Sequence, residues 1–419
     1  MTIEAVPQQK LQVSTEPDGY RFEWPHWNLT ACVTRLSDKS GGLGGELAIW
    51  ITQEGKDRLL TSGQTNLSSI QTRERLVKRL DTLRPGLEWN RVIETVCVRT
   101  CELHRQGPPP ESLEPSDDDT PATFILNPLI YHRHPTLLYG PGESGKSFFA
   151  LYLACLLSSG GRSTNLAVAP GGHNCLYLDW ELRSQEGRSR VKQLREGHPE
   201  LTRAPLHLAM HRPLVQVAPE LRRTITDHDI DVVIVDSLGP ATGGEIERSS
   251  DPVAFFNALS SLNVTSLLIS HVAKPGEEGK SRSPYGSVYY YNLSRSIWEV
   301  RLASEPDSDQ RVIALYHRKN NLGRRLAPMG YTLNINDHAA LFEPCDPNQE
   351  PELAQGISIR ERIARLLKDH QTRTVSDIAD ALGLEAEAVR RTLNRYKGKG
   401  WVAVSSGMGR GHESEWGIL

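Results

Sequence analysis

The chain has 419 residues, 24% of them charged and 6% aromatic, with a formal net charge of -3 at pH 7; that length carries two or three domains, and any nucleic-acid contact must rest on local charge. The longest apolar run, of about ten residues, is roughly half a membrane span, and the opening MTIEAVPQQK lacks the basic and apolar regions of a secretory signal. Six scattered cysteines suit a reducing interior, so the expectation is a cytoplasmic protein with no membrane partner.

Residues 1–106 read as an α+β unit. WNLTACVTRLS and GELAIWITQ alternate like strands. TRERLVKRLDTLRPG and WNRVIETVCVRTCELHRQG have helical spacing, the first with Leu76, Leu80 and Leu83 on one face. Cys97, Cys101 and His104 share a face of the second helix. Without a fourth ligand they read as a half-buried helix face rather than a metal site. No catalytic motif stands in this unit, and its residues assign it no role, contact with a protein partner being one use open to it. Residues 107–122, GPPPESLEPSDDDTPA, hold prolines and acids with almost nothing to bury, and form a linker.

Residues 123–343 alternate strand and helix. PTLLYG, KSFFALYLACLLSSG, NCLYLDWE, RSRVKQLREG, PLHLAM, PELRRTITDH, DVVIVDS, DPVAFFNALSSL and VTSLLISH follow in that order. The rhythm predicts an α/β domain with crossover helices over a mainly parallel sheet, whose buried strands are continuous apolar runs. Ligands of such sheets sit at strand ends, where the polar residues gather.

The stretch LYGPGESGKS fits G-x-x-x-x-G-K-[ST] between a strand and a helix, the context that motif requires. Its glycines let the backbone N–H groups curl toward phosphate, helped by the helix N-terminus. The cradle comprises Gly140, Pro141, Gly142, Glu143, Ser144, Gly145, Lys146, Ser147 and Phe148. In it Lys146 is placed on the β- and γ-phosphates of ATP and Ser147 on Mg2+. DVVIVDS supplies the second metal-side residue, Asp236, after a wholly apolar strand. Many P-loop motors follow this aspartate with a glutamate; here Ser237 follows. An acid stands instead at the tip of CLYLDWE, where Glu181 is placed to deprotonate water as a general base. Asp179, on the same face, is the second candidate. His271 ends LLISH and reads either as a γ-phosphate sensor or as a polar strand-end residue. The long loop VAKPGEEGKSRSPYGS carries Lys274, Lys280 and Arg282. It suits a nucleic-acid contact or a plain solvated loop.

Taken together, the motifs between Phe124 and Phe342 resemble the RecA/DnaB-like P-loop ATPases, and among them the branch of plasmid RepA-type hexameric helicases. The resemblance implies a homo-oligomeric ring with ATP between subunits, each site completed by a neighbour's arginine. That arginine follows a Gly-Ser pair by about nine residues, which maps to Arg295 after Gly286 and Ser287, with Arg301 as a fallback. It also implies that a basic residue of YHRKNNLGRR, Lys319, approaches the neighbour's nucleotide. Charge developing on the phosphoryl group is then stabilised in trans.

After a second linker, 344–356, the block 357–419 opens with the amphipathic SIRERIARLLKDH. A helix, a turn at Gly383, a second helix from Glu385 to Tyr396 and a two-stranded wing follow, and resemble a winged helix-turn-helix. Arg390, Arg391, Arg395, Lys397, Lys399 and Arg410 give it a local positive bias suited to DNA phosphates, with protein docking as the rival use. The expected function is an ATP-driven, ring-forming DNA helicase or translocase. The alternatives are a non-translocating, ATP-switched DNA-binding regulator and a matchmaker.

Overall fold

The computed structural model describes residues 11–16, 18–39, 42–106, 112–114, 121–163, 165–243, 250–272, 288–303, 310–347, 353, 357–369, 372–398, 401–405 and 414–418. Its contacts divide the chain into two units, 1–121 together with 216–229, and 122–215 together with 230–419.

In the first unit, five strands form one antiparallel sheet in chain order: β1 (Gln12–Glu16), β2 (Gly19–Trp24), β3 (Leu29–Lys39), β4 (Gly42–Gln53) and β5 (Lys56–Asn66). Alternating residues of these strands bury Phe22, Leu29, Ala31, Val33, Leu47 and Ile49. The same core takes Leu80 from α1 (Ile70–Leu83) and Trp89, Val92 and Val96 from α2 (Trp89–Gln106). Arg73 joins the two helices, its Nε donating to Glu94 at 2.8 Å. Of the predicted leucine stripe, Leu80 is buried and Leu76 packs at the edge, whereas Leu83 is 50% exposed in the last turn before the Arg84 cap. Cys97 and Cys101 are buried, and His104 meets Asp38 at 3.3 Å. Among the described residues no group of three His, Cys, Asp or Glu side chains is placed to hold a metal.

The second unit carries a nine-stranded sheet. Its elements in chain order are β6 (Phe124–Asn127), β7 (Ile130–Tyr131), β8 (Pro135–Gly140), α3 (Lys146–Ser159), β9 (Ala167–Val168), β10 (Cys175–Asp179), α4 (Ser184–Gly197) and β11 (Leu206–Ala209). Then follow α5 (Leu214–Asp227), which from Gln216 onward groups with the first unit, β12 (Val232–Asp236), α6 (Leu238–Thr242), α7 (Ser250–Ser261), β13 (Thr265–His271), α8 (Val288–Leu293), β14 (Ser296–Leu302), β15 (Gln310–Asn320), β16 (Met329–Ile335) and β17 (Ala340–Cys345). The sheet order is β11-β10-β12-β13-β8-β14-β15-β16-β17, while β7-β6-β9 form a small separate sheet. The first six strands of that order are parallel and the last three run antiparallel. The mainly parallel α/β architecture expected from the sequence is therefore what the chain builds, with an antiparallel extension beyond β14.

Every residue of β10 and β12 is buried, as two covered faces require. Helix α3 is apolar almost all round and lies in the core, with Phe149, Tyr152, Leu153, Leu156 and Leu157 fully enclosed. Helix α4 is pinned at its C-terminal end: Gln193 Nε2 donates to Asn336 O at 3.1 Å, and Phe342 N donates to His198 Nε2 at 2.9 Å. Gly197 is the closest approach, since a Cβ there would stand 2.2 Å from Ala340 O.

The last segment forms α9 (Ile359–Leu366), α10 (Val375–Leu382), α11 (Ala386–Arg395) and an antiparallel ribbon of β18 (Trp401–Ser405) and β19 (Glu415–Ile418). Ser358 caps α9, and Thr374 with Asp377 forms a capping box on α10. Gly383 ends α10 at φ 59. Ile363, Leu367, Ile378, Val389, Leu393 and Trp416 close a small core of their own.

Because the Gly197 position has backbone where a Cβ must go, Gly197→Ala is expected to destabilise the chain by about 1–3 kcal/mol. Thermal unfolding reads the loss, and an unchanged midpoint would contradict the packing of α4 on β17.

Candidate active site

Parallel register brings the polar strand ends together. Asp179 pairs with Asp236 and Asp236 with Ile269, while His271 pairs with Gly140. Strand β13 thus lies between the phosphate-loop strand β8 and the Asp236 strand β12. Beside these ends opens a cleft of about 620 Å3, walled by the loop from Glu143 to Phe148, by Glu181 and His271, and by Arg190, Gln193, Arg311, Leu333 and Ile335.

The loop ends at Gly145, whose φ of 76 lies in the left-handed region and which precedes α3 directly. The first N–H groups of that helix are left without intrahelical acceptors and are available to an anion. Ser144 Oγ donates to Pro141 O at 2.8 Å, tightening the curl. Lys146 is buried, and its ammonium donates to Pro141 O and to Ser144 Oγ, the latter at 3.3 Å, so its charge is held within the cradle. Burial lowers its pKa to about 8, against the pull of Asp236 and Glu181.

The acids divide the work. Asp236 is buried, its Oδ2 accepting from Tyr177 Oη at 2.6 Å and its Oδ1 left without a hydrogen bond. Burial raises its carboxyl to about 6, with the Tyr177 hydroxyl opposing, Glu181 reinforcing, and the neighbouring Ser147 hydroxyl again opposing. An unpartnered buried carboxylate oxygen beside a serine hydroxyl is a hard oxygen donor pair, and it fits Mg2+.

Glu181 follows the end of β10 and is half exposed to the cleft. Its Oε1 accepts from Ser237 Oγ at 2.6 Å and lies 3.7 Å from His271 Nε2. The imidazole is the main cause of a carboxyl held below its ordinary pKa; burial opposes that pull and Ser237 adds to it. Glu181 is therefore an ionised acceptor near neutral pH, the state a general base needs. Asp179 is spent differently. Its Oδ1 accepts from the backbone N–H of Glu181 and Leu182 at 2.9 and 2.8 Å, and its Oδ2 meets His207 Nε2 at 3.3 Å. It shapes the turn that presents Glu181 and has no free edge toward the cleft.

Arg190, Gln193 and Arg311 line the cleft without having been singled out in the sequence. Arg190 lies over the Phe148 ring at 5.6 Å, and Arg311 donates to Glu143 O at 3.4 Å. They come from α4 and from the first half of β15, stretches with no motif of their own.

Arg295 is exposed and stands just before β14, its N–H donating to Pro135 O at 3.0 Å. That is the opposite end of β8 from the phosphate loop, roughly 17 Å away at about 3.3 Å per residue. Lys319 donates to the carbonyls of Tyr291, Asn292 and Ser294 at 2.7, 2.8 and 2.9 Å and so caps α8. Arg301 is paired with the buried Glu299, Nε to Oε1 at 2.9 Å. Lys274, Lys280, Arg282, Gly286, Ser287, Lys399 and Arg410 lie outside the described residues. Arg390, Arg391, Arg395 and Lys397 are all exposed.

The depressed Lys146 pKa sets a pH dependence. The ammonium persists below about pH 8 and is lost above it. Affinity for a fluorescent ATP analogue is expected to weaken as pH rises from 7 through 9. Lys146→Ala, having nothing to titrate there, is expected to bind weakly with a flat profile. A flat profile in the unaltered chain would contradict the assignment.

Residues 113–277 match a family described as AAA domain, which covers less than half of the chain. No curated protein matches the chain. Among solved structures, a KaiC-like protein from the hyperthermophilic archaeon Pyrococcus horikoshii OT3 is 14% identical and has a TM-score of 0.36, covering 52% of this chain and 94% of its own. Among the described residues no helix is long and apolar enough to cross a membrane. Residues 113–277 are thus similar to an AAA domain, and the phosphate loop and the mainly parallel sheet with its acids at the strand ends give the central domain a P-loop nucleotide-binding core.

Proposed function

We propose that the chain is a Mg2+-dependent ATP hydrolase that works as a ring of identical subunits, a hexamer, and acts on DNA as a helicase or translocase. The observation that carries the hydrolase is Glu181, fixed by Ser237 at 2.6 Å and set in the same cleft as Lys146 and the phosphate loop. In this reading Glu181 takes a proton from water as its oxygen bonds to the γ-phosphorus. The bond to the β,γ-bridging oxygen breaks, and ADP and phosphate leave. Lys146 and the loop N–H groups stabilise the charge on the phosphoryl oxygens. Ser147 and Asp236 would hold Mg2+, which would supply positive charge against the phosphates. Ser237 and His271 keep the Glu181 carboxylate aimed and ionised.

The oligomer is supported by the position of Arg295. An exposed arginine at the far end of its own phosphate-loop strand stands away from its own site and suits a role in a neighbouring copy's. Action on DNA is supported by the exposed arginines of α11. Arg390 and Arg391 lean on Glu387 at 3.1 and 3.9 Å, exposed pairs that contribute little and exchange readily for phosphates. Because this basic face belongs to α11 rather than to the ATPase core, it also favours a second reading, a non-translocating DNA-binding regulator switched by ATP. Turnover stimulated by single-stranded DNA supports the motor, and ATP-dependent DNA binding without such stimulation supports the switch.

Two experiments test the site. Glu181→Gln is expected to bind ATP while losing about 10²–10⁴-fold in kcat, and near-normal turnover would remove Glu181 as the base. Arg295→Ala and Lys146→Ala, each inactive alone, are expected to recover part of the activity when mixed, because each supplies what the other lacks. Absence of recovery would sink the completion in trans.

A further inference from the structure

We propose that a second cavity, between α4 and the edge strand β11, binds a small amphipathic anion and that its occupancy governs the acids of the ATP site. The control of turnover rests on the ATPase reading above, whereas the binding does not. The cavity has a volume of about 640 Å3, within the range of small-molecule sites. Its apolar floor comes from Leu151, Val191 and Leu206, the last 46% exposed on the edge strand. Arg188 and Lys192 stand four residues apart on α4 and so share a face. Neither has an ion-pair or hydrogen-bond partner among the described residues. Arg195 also lines the cavity but is committed to Leu201 O and Thr202 O at 3.0 and 3.1 Å, and Glu196 is the single acid of the lining. Uncompensated cations above an apolar floor select a ligand with a ring or short-chain body and a carboxylate, sulfonate or phosphate head.

Two lining side chains connect this cavity to the chemistry. Tyr177 and His207 stack with ring centroids 6.3 Å apart and 16° between their planes. Tyr177 donates to Asp236 at 2.6 Å. His207 is held at Nδ1 by Ser184 Oγ at 3.0 Å and meets Asp179 at Nε2, the aspartate whose other oxygen fixes the Glu181 turn. One wall of the cavity thus reaches the metal-side acid through one hydrogen bond and the base through two. A ligand that wedges α4 away from β11 lengthens the 3.3 Å contact between His207 and Asp179 and loosens Glu181. The phosphate loop is untouched, so kcat falls while KM for ATP stays.

The probe is 8-anilinonaphthalene-1-sulfonate, an aromatic anion of the stated class. Gly187 lines the cavity, and a Cβ there stands 3.8 Å from the His207 ring, an ordinary contact. Gly187→Leu therefore fills the space while replacing a helical glycine with a better helix former. Arg188→Glu, an exposed position on the same helix, reverses the charge without touching the core. Saturable binding of one probe per chain is expected, weakened by about tenfold or more in each variant, with a matching fall in kcat at saturating ATP in the unaltered chain. Equal affinity in Gly187→Leu and the unaltered chain, or an unchanged kcat at saturating probe, overturns the proposal. If the unaltered chain turns over no ATP while Gly187→Leu still blocks the probe, the ATPase reading fails and the binding site stands.

Discussion

Everything in the candidate site depends on the parallel alignment of β10, β12, β13 and β8. Parallel pairing fixes all four carboxyl ends on one edge of the sheet, so residues far apart in sequence meet without any local motif joining them. Asp179 opposite Asp236, and His271 opposite Gly140, follow from register alone. The acids that close the buried runs of β10 and β12 specify that register, because a slip would draw a carboxylate into the apolar run or push an apolar residue past its end.

The same burial sets the electrostatics. A lysine with its pKa brought to about 8 and an aspartate raised to about 6 face one another in a low-dielectric floor. Backbone and hydroxyl partners hold their charges there. Glu181 differs, being half exposed and stabilised as an anion by Ser237 and His271. One acid is thereby suited to support a cation and the other to accept a proton. The division arises from depth in the sheet rather than from residue type.

Much of this was legible in the sequence. The phosphate loop, Asp236, Glu181 and His271 each end an apolar run, and buried parallel strands write such runs plainly. The strands β1 and β5 were not legible: QVSTE is an exposed edge, and KDRLLTSGQTN has no clean alternation. Nor was the antiparallel extension that brings Arg311 to the cleft. In the sequence Ser237 is only a departure from a familiar pattern, because its bond to Glu181 depends on where two strand ends lie. Lys319 shows the converse, a basic residue whose three donors are satisfied by the end of α8. Residues 216–229, which group with the N-terminal unit, carry no sequence mark of that association.

The central claim is that Glu181, and neither Asp179 nor an acid from elsewhere, faces the attacking water. A structure with Mg2+ and a non-hydrolysable ATP analogue tests it most directly. The account predicts a water in line with the γ-phosphate and within hydrogen-bond reach of the Glu181 carboxylate, with Asp179 still bonded to the Glu181 and Leu182 N–H groups. A water held there by any other acid, or a Glu181 turned out of the cleft, would contradict it.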